Sequence, residues 1–195
     1  MAHRAHLRGV AACAASVFAA GALAVLGTGI AGAATASVTW DDWYTRFTRT
    51  ASNATPNAGD TITVTTKFER TNSTDERLIW VKDLHNTCLT YVPGSAKMND
   101  RAVEPYLEIK PGFVAGDFNA TDYQVFVKQT ETPIFSVQYK VGADCLRGAS
   151  LTAGMEYLGT LGPGSYGDKG PNVTVGYLGT GGTGSLDSLL GGFGS

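Results

Sequence analysis

Residues 61–70, T-I-T-V-T-T-K-F-E-R, set Ile62, Val64, Thr66 and Phe68 on one side of the chain and Thr63, Thr65, Lys67 and Glu69 on the other. A period of two predicts a half-buried β-strand; a helix would need apolar residues every three or four positions. Such a strand buries its inner face only against a second layer. Residues 134–141 repeat the rule strictly, with Phe135, Val137, Tyr139 and Val141 inward and Ser136, Gln138 and Lys140 outward. Between them, an apolar run at 78–82 ends at Asp83 and a polar turn carries Cys88. A second run at 89–92 then stops at Pro93-Gly94-Ser95. Strand, turn, strand and Pro-Gly stop is the pattern of an antiparallel sandwich.

Residues 37–50 read as a first strand, with Trp43, Thr45 and Phe47 on one face and Tyr44, Arg46 and Thr48 on the other. Residues 51–59 are Ser/Asn/Pro/Gly punctuation, and 71–77 form a polar turn. Residues 96–119 predict one or two short strands around Val103, Tyr106, Leu107 and Ile109, interrupted by Pro111-Gly112. Residues 122–129 predict another, with Tyr123, Val125 and Val127 on one face. The echo M-E-Y-L-G-T at 155–160 and V-G-Y-L-G-T at 175–180 reads as two edge-like strands joined by a long Gly/Pro loop at 162–171. Seven or eight short strands, with no helical pattern in the mature part, predict an all-β antiparallel sandwich of Greek-key type.

One stretch resembles a known family. Val81-Lys82-Asp83, followed six residues on by L-T-Y-V-P-G-S at 89–95, is similar to the Ig-like conserved repeat domain of bacterial surface proteins. The lead-in Pro56-Asn57-Ala58-Gly59-Asp60-Thr61 resembles the Pro-Gly-Asp-Thr that the family often writes before its second strand. Where members carry Leu-Pro-x-Gly, this chain has His85, Asn86, Thr87 and Cys88, so a cysteine replaces the glycine. The resemblance covers roughly Thr61 to Cys145. It implies an Ig-like sandwich exposed at a bacterial cell surface, and it implies no ligand, because the family's function is unknown.

The N-terminus points to the same compartment. Arg4 and Arg8 precede an Ala/Leu/Val/Gly run at 10–30 that closes in Ala31-Gly32-Ala33 and Ala34-Thr35-Ala36. A basic start, an apolar run and small-x-small sites predict a signal peptide over 1–33, with cleavage as late as 36. An uncleaved membrane anchor is the alternative, since the run is about long enough to span. The small-residue sites favour removal, leaving no stable membrane insertion. Cys13 precedes most of the apolar run, which excludes it as a lipidation site. Without residues 1–33, 13 basic face 17 acidic residues, which supplies no basic footprint for nucleic acid. Residues 37–180 then form one domain, and the Gly/Ser/Thr-rich residues 181–195, with Leu186, Leu189 and Leu190, form a flexible tail.

Cys88 and Cys145 are the only cysteines left, 57 residues apart. In an exported chain two cysteines predict one disulfide.

The chemistry-bearing types do not assemble into a catalytic set. His85 lies in a polar turn where a surface histidine is the default, and around Ser165 the nucleophile-elbow glycine is replaced by Pro163. Asp41-Asp42 and Asp75-Glu76 supply too few oxygens for calcium. Two thiols and His85 are too few for a soft-metal site, so no metal and no cofactor are expected. Trp40, Trp43 and Tyr44 suggest a glycan-stacking platform, but alternation divides them between faces and assigns at least one side to the core. An intramolecular isopeptide bond needs Lys and Asn facing each other in the core beside an acid. Lys67, Lys82, Asn172 and Glu156 are available types, with Lys82 beside Asp83 the better lysine. Asn53, Asn72, Asn119 and Asn172 begin N-x-[ST] sequons and mark exposed loops.

The expectation is a secreted, cell-envelope-associated, non-enzymatic structural or adhesive module with catalytic residues none and a ligand site unknown. Its partner would be an unidentified protein or glycan. The alternative is a secreted hydrolase or enzyme inhibitor working through His85 or the 162–171 loop at one end of the sandwich.

Overall fold

The alternation at 61–70 becomes β3 (Thr61–Arg70), and that at 134–141 becomes β11 (Ile134–Val141), in a computed structural model that describes residues 33–177. They pair antiparallel with Val64 opposite Val137 and Ile62 opposite Tyr139. Every residue assigned inward on these two strands is buried.

Among the described residues there are fifteen strand segments and no helix. The others are β1 (Ala36–Asp42), β2 (Thr45–Ala51), β4 (Glu76–Leu84), β5 (Leu89–Tyr91), β6 (Lys97–Met98), β7 (Arg101–Ala102), β8 (Leu107–Lys110), β9 (Phe113–Asp117), β10 (Val125–Val127), β12 (Ser150–Leu151), β13 (Gly154–Gly159), β14 (Gly162–Tyr166) and β15 (Val173–Thr174). Sheet one runs β1-β2-β3-β11-β6-β7, with β5 also on β11; sheet two runs β14-β13-β4-β9-β8, with β10 also on β4. A small third ladder joins β12 to β15. The chain crosses between sheets from β3 to β4 and from β4 to β5, and returns to set β11 beside β3. The all-β antiparallel sandwich is therefore the observed fold.

Segmentation exceeds the expected count where turns carry no turn residues. Residues 37–50 are not one strand but the hairpin β1–β2, reversing at Trp43-Tyr44, with Trp40 opposite Phe47. Residues 162–171 are not all loop: Gly162–Tyr166 pairs back on β13 through a tight turn at Thr160-Leu161. The run at 78–82 does not end at Asp83, which lies buried inside β4.

The two inner faces meet in one core, with Phe47, Phe68, Phe135, Val137 and Tyr139 from sheet one against Leu78, Val81, Val114 and Tyr157 from sheet two. Two ion pairs sit inside it. Arg49 Nη2 on β2 lies 2.9 Å from Asp83 Oδ2 on β4, both almost wholly buried, and Arg70 Nη1 at the end of β3 lies 3.2 Å from Glu76 Oε2. The Tyr139 hydroxyl donates to Asp83 Oδ1 at 2.9 Å, and Arg49 donates to Thr66 Oγ1 at 3.1 Å. Buried charges survive only when matched in this way.

Cys88 and Cys145 form a disulfide with 5.2 Å between Cα atoms. The amide of Ala54 donates to Ala34 O, the amide of Thr174 to Ala54 O and that of Gly176 to Pro56 O, so residues 34 and 176 flank the same short segment. Cleavage after Ala36 would remove the Ala34 bond and the Ala36–Ala51 pair, whereas cleavage after Ala33 leaves both. The expected signal peptide, up to residue 32, and the expected tail at 181–195 lie outside the described residues.

Candidate functional site

A concavity lies on the outer face of sheet two, and a β-bulge shapes it. Along β4, Glu76, Leu78, Val81 and Asp83 are buried, so the inward set skips from 78 to 81. The partner strand shows the cause: Gly159 faces Leu78 and Leu158 faces Trp80, leaving Ile79 as the extra residue. An inserted residue flips everything after it to the other face. Without the bulge Trp80 would follow Leu78 into the core; with it, Trp80 and Lys82 stand on the outer face. The Ile79 carbonyl accepts the amides of Phe118 at 2.8 Å and Asn119 at 3.2 Å, which holds the irregularity in place.

Residues opposite one another share a face, so register assembles the floor. Glu156, Lys82, Ala115 and Glu108 form one row across β13, β4, β9 and β8; Leu158, Trp80 and Asp117 form the next. Ala115 is the small residue of its row. The row is hollow there, and a groove of about 460 Å³ opens between Trp80 and Lys82 on one side and Pro105, Tyr106, Leu107 and Glu108 on the other. That volume is within the usual range for small-ligand sites.

Each wall is positioned. The Lys82 ammonium lies 2.9 Å from Glu156 Oε2 and 4.9 Å from the centre of the Phe113 ring, with the Trp80 ring at 5.4 Å. A carboxylate and two π faces fix it as an oriented donor. Asp117 Oδ1 accepts the amides of Asn119 at 2.9 Å and Ala120 at 3.3 Å, closing one end with a side-chain turn. The opposite wall hangs on Glu104, whose Oε1 accepts the Tyr91 hydroxyl at 2.6 Å and the Gly94 amide at 2.8 Å. Those bonds hold the Glu104 carboxyl below the usual carboxylate range, and burial together with the same carboxylate pushes the Tyr91 phenol up. Tyr106, two residues on, remains 40% exposed.

The residues singled out from sequence are dispersed. His85 is half-buried; its ring packs 4.4 Å from that of Tyr139 and its Nδ1 lies 2.9 Å from Asn86 O. Ser165, on β14 and two strands across sheet two from the β4 end that leads to His85, has its Oγ 3.5 Å from Glu156 Oε1. The isopeptide types do not bring a lysine to Asn172. Lys82 meets Glu156 on the outer face, Lys67 meets Glu69 at 2.8 Å, and Asn172 Oδ1 faces Ser150 Oγ at 3.4 Å. The core acids Asp83 and Glu76 face arginines instead. Asp41 pairs with Arg46 at 2.8 Å, and Asp42 accepts the Tyr166 hydroxyl at 2.6 Å. Asp75 is exposed while its neighbour Glu76 is buried. No cluster of metal-ligating side chains occurs among the described residues. Trp40 stacks on Phe47 at 5.1 Å, as a core role requires, whereas Trp43 and Tyr44 stand at the hairpin tip with Trp43 89% exposed. The asparagines of the four sequons all lie outside strands, although Val173 and Thr174 of the last one form β15.

Sequence reasoning missed the groove. The available signals were the break in the period of two at Leu78 and Val81 and the small pair Ala115-Gly116.

No family model matches the chain, and no curated protein matches it. Solved structures do. A putative membrane-anchored protein from Corynebacterium diphtheriae is 14% identical with a TM-score of 0.44, covering 64% of this chain and 32% of its own. The major pilin subunit BcpA of Bacillus cereus is 13% identical with a TM-score of 0.42, covering 74% and 40%. The pilus backbone RrgB from Streptococcus pneumoniae is 12% identical with a TM-score of 0.38, covering 54% and 44%. This chain thus spans less than half the length of each, and at these scores the likeness carries no argument about partner or activity.

Proposed function

We propose that this chain is an exported, non-enzymatic module of the cell envelope that works by binding, through the outer face of sheet two. The observation that carries the reading is the hollow at Ala115 between the aromatic walls Trp80 and Tyr106. A sheet face whose only task is solubility needs no bulge to bring a tryptophan outside. Residues 34 and 176 both bond the Ala54–Pro56 segment, which contributes nothing to the lining of the groove. The disulfide suits an oxidising compartment.

The test is retention of the purified full chain on the envelope fraction of its source cell, run beside a hydrolase screen. Saturable retention without turnover is the expected result. A turnover lost in His85→Ala would replace this reading with the hydrolase.

A further inference from the structure

We propose that the groove takes a glycan, specifically a chain of β-linked, gluco-configured pyranoses. This deepens the binding-module reading and rests on it. The first argument is what the groove lacks. It lies over β9, between β4 and the edge strand β8, and the backbone of β4 and β9 beneath it is spent on ladders to neighbours on both sides, Trp80–Asp117 and Lys82–Ala115 among them. An extended peptide laid there would find no main-chain partners for its own amides and carbonyls, each costly to leave unmade. The ligand must therefore be read by side chains alone.

Those side chains suit a sugar. Trp80 and Tyr106 bring aromatic rings to the lining of the groove. A gluco-configured pyranose has equatorial hydroxyls, so its two flat faces expose C–H groups that sit favourably against the negative face of an aromatic ring. Its rim hydroxyls need donors and acceptors beside the rings. Lys82, already oriented by Glu156 and Phe113, supplies the donor; Glu108, across Ala115, supplies the acceptor. Hydrogen bonds to charged groups are the stronger kind. The groove is open to solvent, so a chain longer than the hollow extends out of it away from the end closed by Asp117. A wholly apolar ligand would use the rings and desolvate Lys82 and Glu108 without return.

The experiment titrates the full chain with cellohexaose and with chitohexaose by calorimetry, following tryptophan fluorescence in parallel. Retention on the envelope fraction is measured before and after exhaustive proteinase treatment of that fraction, which removes proteins and spares glycans. At least one hexasaccharide should bind, and retention should survive the proteinase. Trp80→Ala and Tyr106→Ala should each weaken binding about tenfold or more, as expected for aromatic anchors. Ala115→Phe fills the hollow without removing any core contact and should abolish binding with an unchanged melting curve, which keeps the test valid if Trp80→Ala folds poorly. Trp43→Ala, at the distant hairpin tip, should bind as the unaltered chain does. Failure of both hexasaccharides, or binding unaffected by Ala115→Phe, overturns the glycan assignment. Envelope retention abolished by proteinase also overturns it but leaves the binding module standing, and no retention on either fraction removes both.

Discussion

Strand β4 carries a buried carboxylate near each end, and the two are held differently. Asp83 receives the Arg49 guanidinium and the Tyr139 hydroxyl, and Cys88–Cys145 ties the loop that follows β4 to the loop that follows β11. Burial and this carboxylate together push the Tyr139 phenol far up, so it stays a donor at every ordinary pH. Glu76 also meets a guanidinium, that of Arg70, yet it borders an open cleft of about 220 Å³ at the Trp43-Tyr44 tip. There desolvation outweighs the attraction of Arg70 and the Glu76 carboxyl is raised. A Cβ at position 159 would overlap that carboxylate, so Gly159 is the only residue that leaves it room. The same device, an arginine from sheet one against an acid on β4, thus gives a locked end and a titratable end. A buried pair stabilises in proportion to its further partners, not to its charges alone.

Breaking the locked end should cost most. Asp83→Ala leaves Arg49 buried without its counter-charge, a loss of about 3–5 kcal/mol in urea unfolding. The double variant Asp83→Leu with Arg49→Met should be milder than that single one, because no orphan charge remains. If the double proves worse, the pair contributes net stability and the comparison needs revising. Next comes the covalent tie. Cys88→Ser with Cys145→Ser frees a loop of 57 residues and should lower stability by about 2–4 kcal/mol. The unaltered protein, digested without reduction, should yield one linked Cys88–Cys145 peptide pair.

How much of this was legible follows from the same residues. Period two on β3 and β11 fixed the fold class, because Ile62, Phe68, Phe135 and Val137 leave one solution for where the core sits. Parity also contained the ion pair: Arg49 shares a face with Phe47 and Ala51, and Asp83 with Val81. It went unread because charged residues are taken as solvent-facing by default. The hairpin at Trp43-Tyr44 lacks the Asn-Gly or Gly pair that announces such turns, and the strand Gly162–Tyr166 looks like a loop because glycine and proline are poor strand formers. The groove was out of reach for another reason. Its members lie at 80–82, 105–108 and 115–120 in sequence, and only the register of three strands, shifted by one bulge, brings them together.

The titratable end is sharpened with pH. Glu76→Gln keeps the shape and an acceptor for Arg70, which retains Thr45 and Thr74 as partners, so the loss should be smaller, about 1–3 kcal/mol. Its sign with pH is the sharper test. A carboxyl raised by folding binds its proton more tightly in the native state, so its contribution is complete below the unfolded value and declines as pH rises through the folded one. The stability gap between the unaltered chain and Glu76→Gln should therefore be larger at pH 4 than at pH 7. Glu104, lowered by Tyr91 and Gly94, should behave oppositely. Its gap to Glu104→Gln should be present at pH 7 and close as pH falls through its folded value. Parallel slopes for the two would mean that both carboxylates report a common unfolding transition and not their own sites.

The smallest effect is expected at the tip, and it should be a gain. Trp43 has φ of 50° in a two-residue turn and is 89% exposed, so a bulky residue holds a left-handed conformation with almost no burial in return. Left-handed backbone costs an ordinary L-residue about 1–2 kcal/mol, and glycine adopts it freely. Its one aromatic contact is edge-on to Tyr44 at 6.5 Å, worth about 0.5–1.5 kcal/mol if fully formed. Trp43→Gly should then raise the unfolding free energy by up to about 1 kcal/mol, seen as a higher urea midpoint at unchanged slope. Because the gain is local, it should add to the loss from Asp83→Ala, at the other end of β4, within a few tenths of a kcal/mol. Marked non-additivity would show that strain at the tip reaches the Arg49–Asp83 pair through β2, and the two ends would then be one cooperative unit.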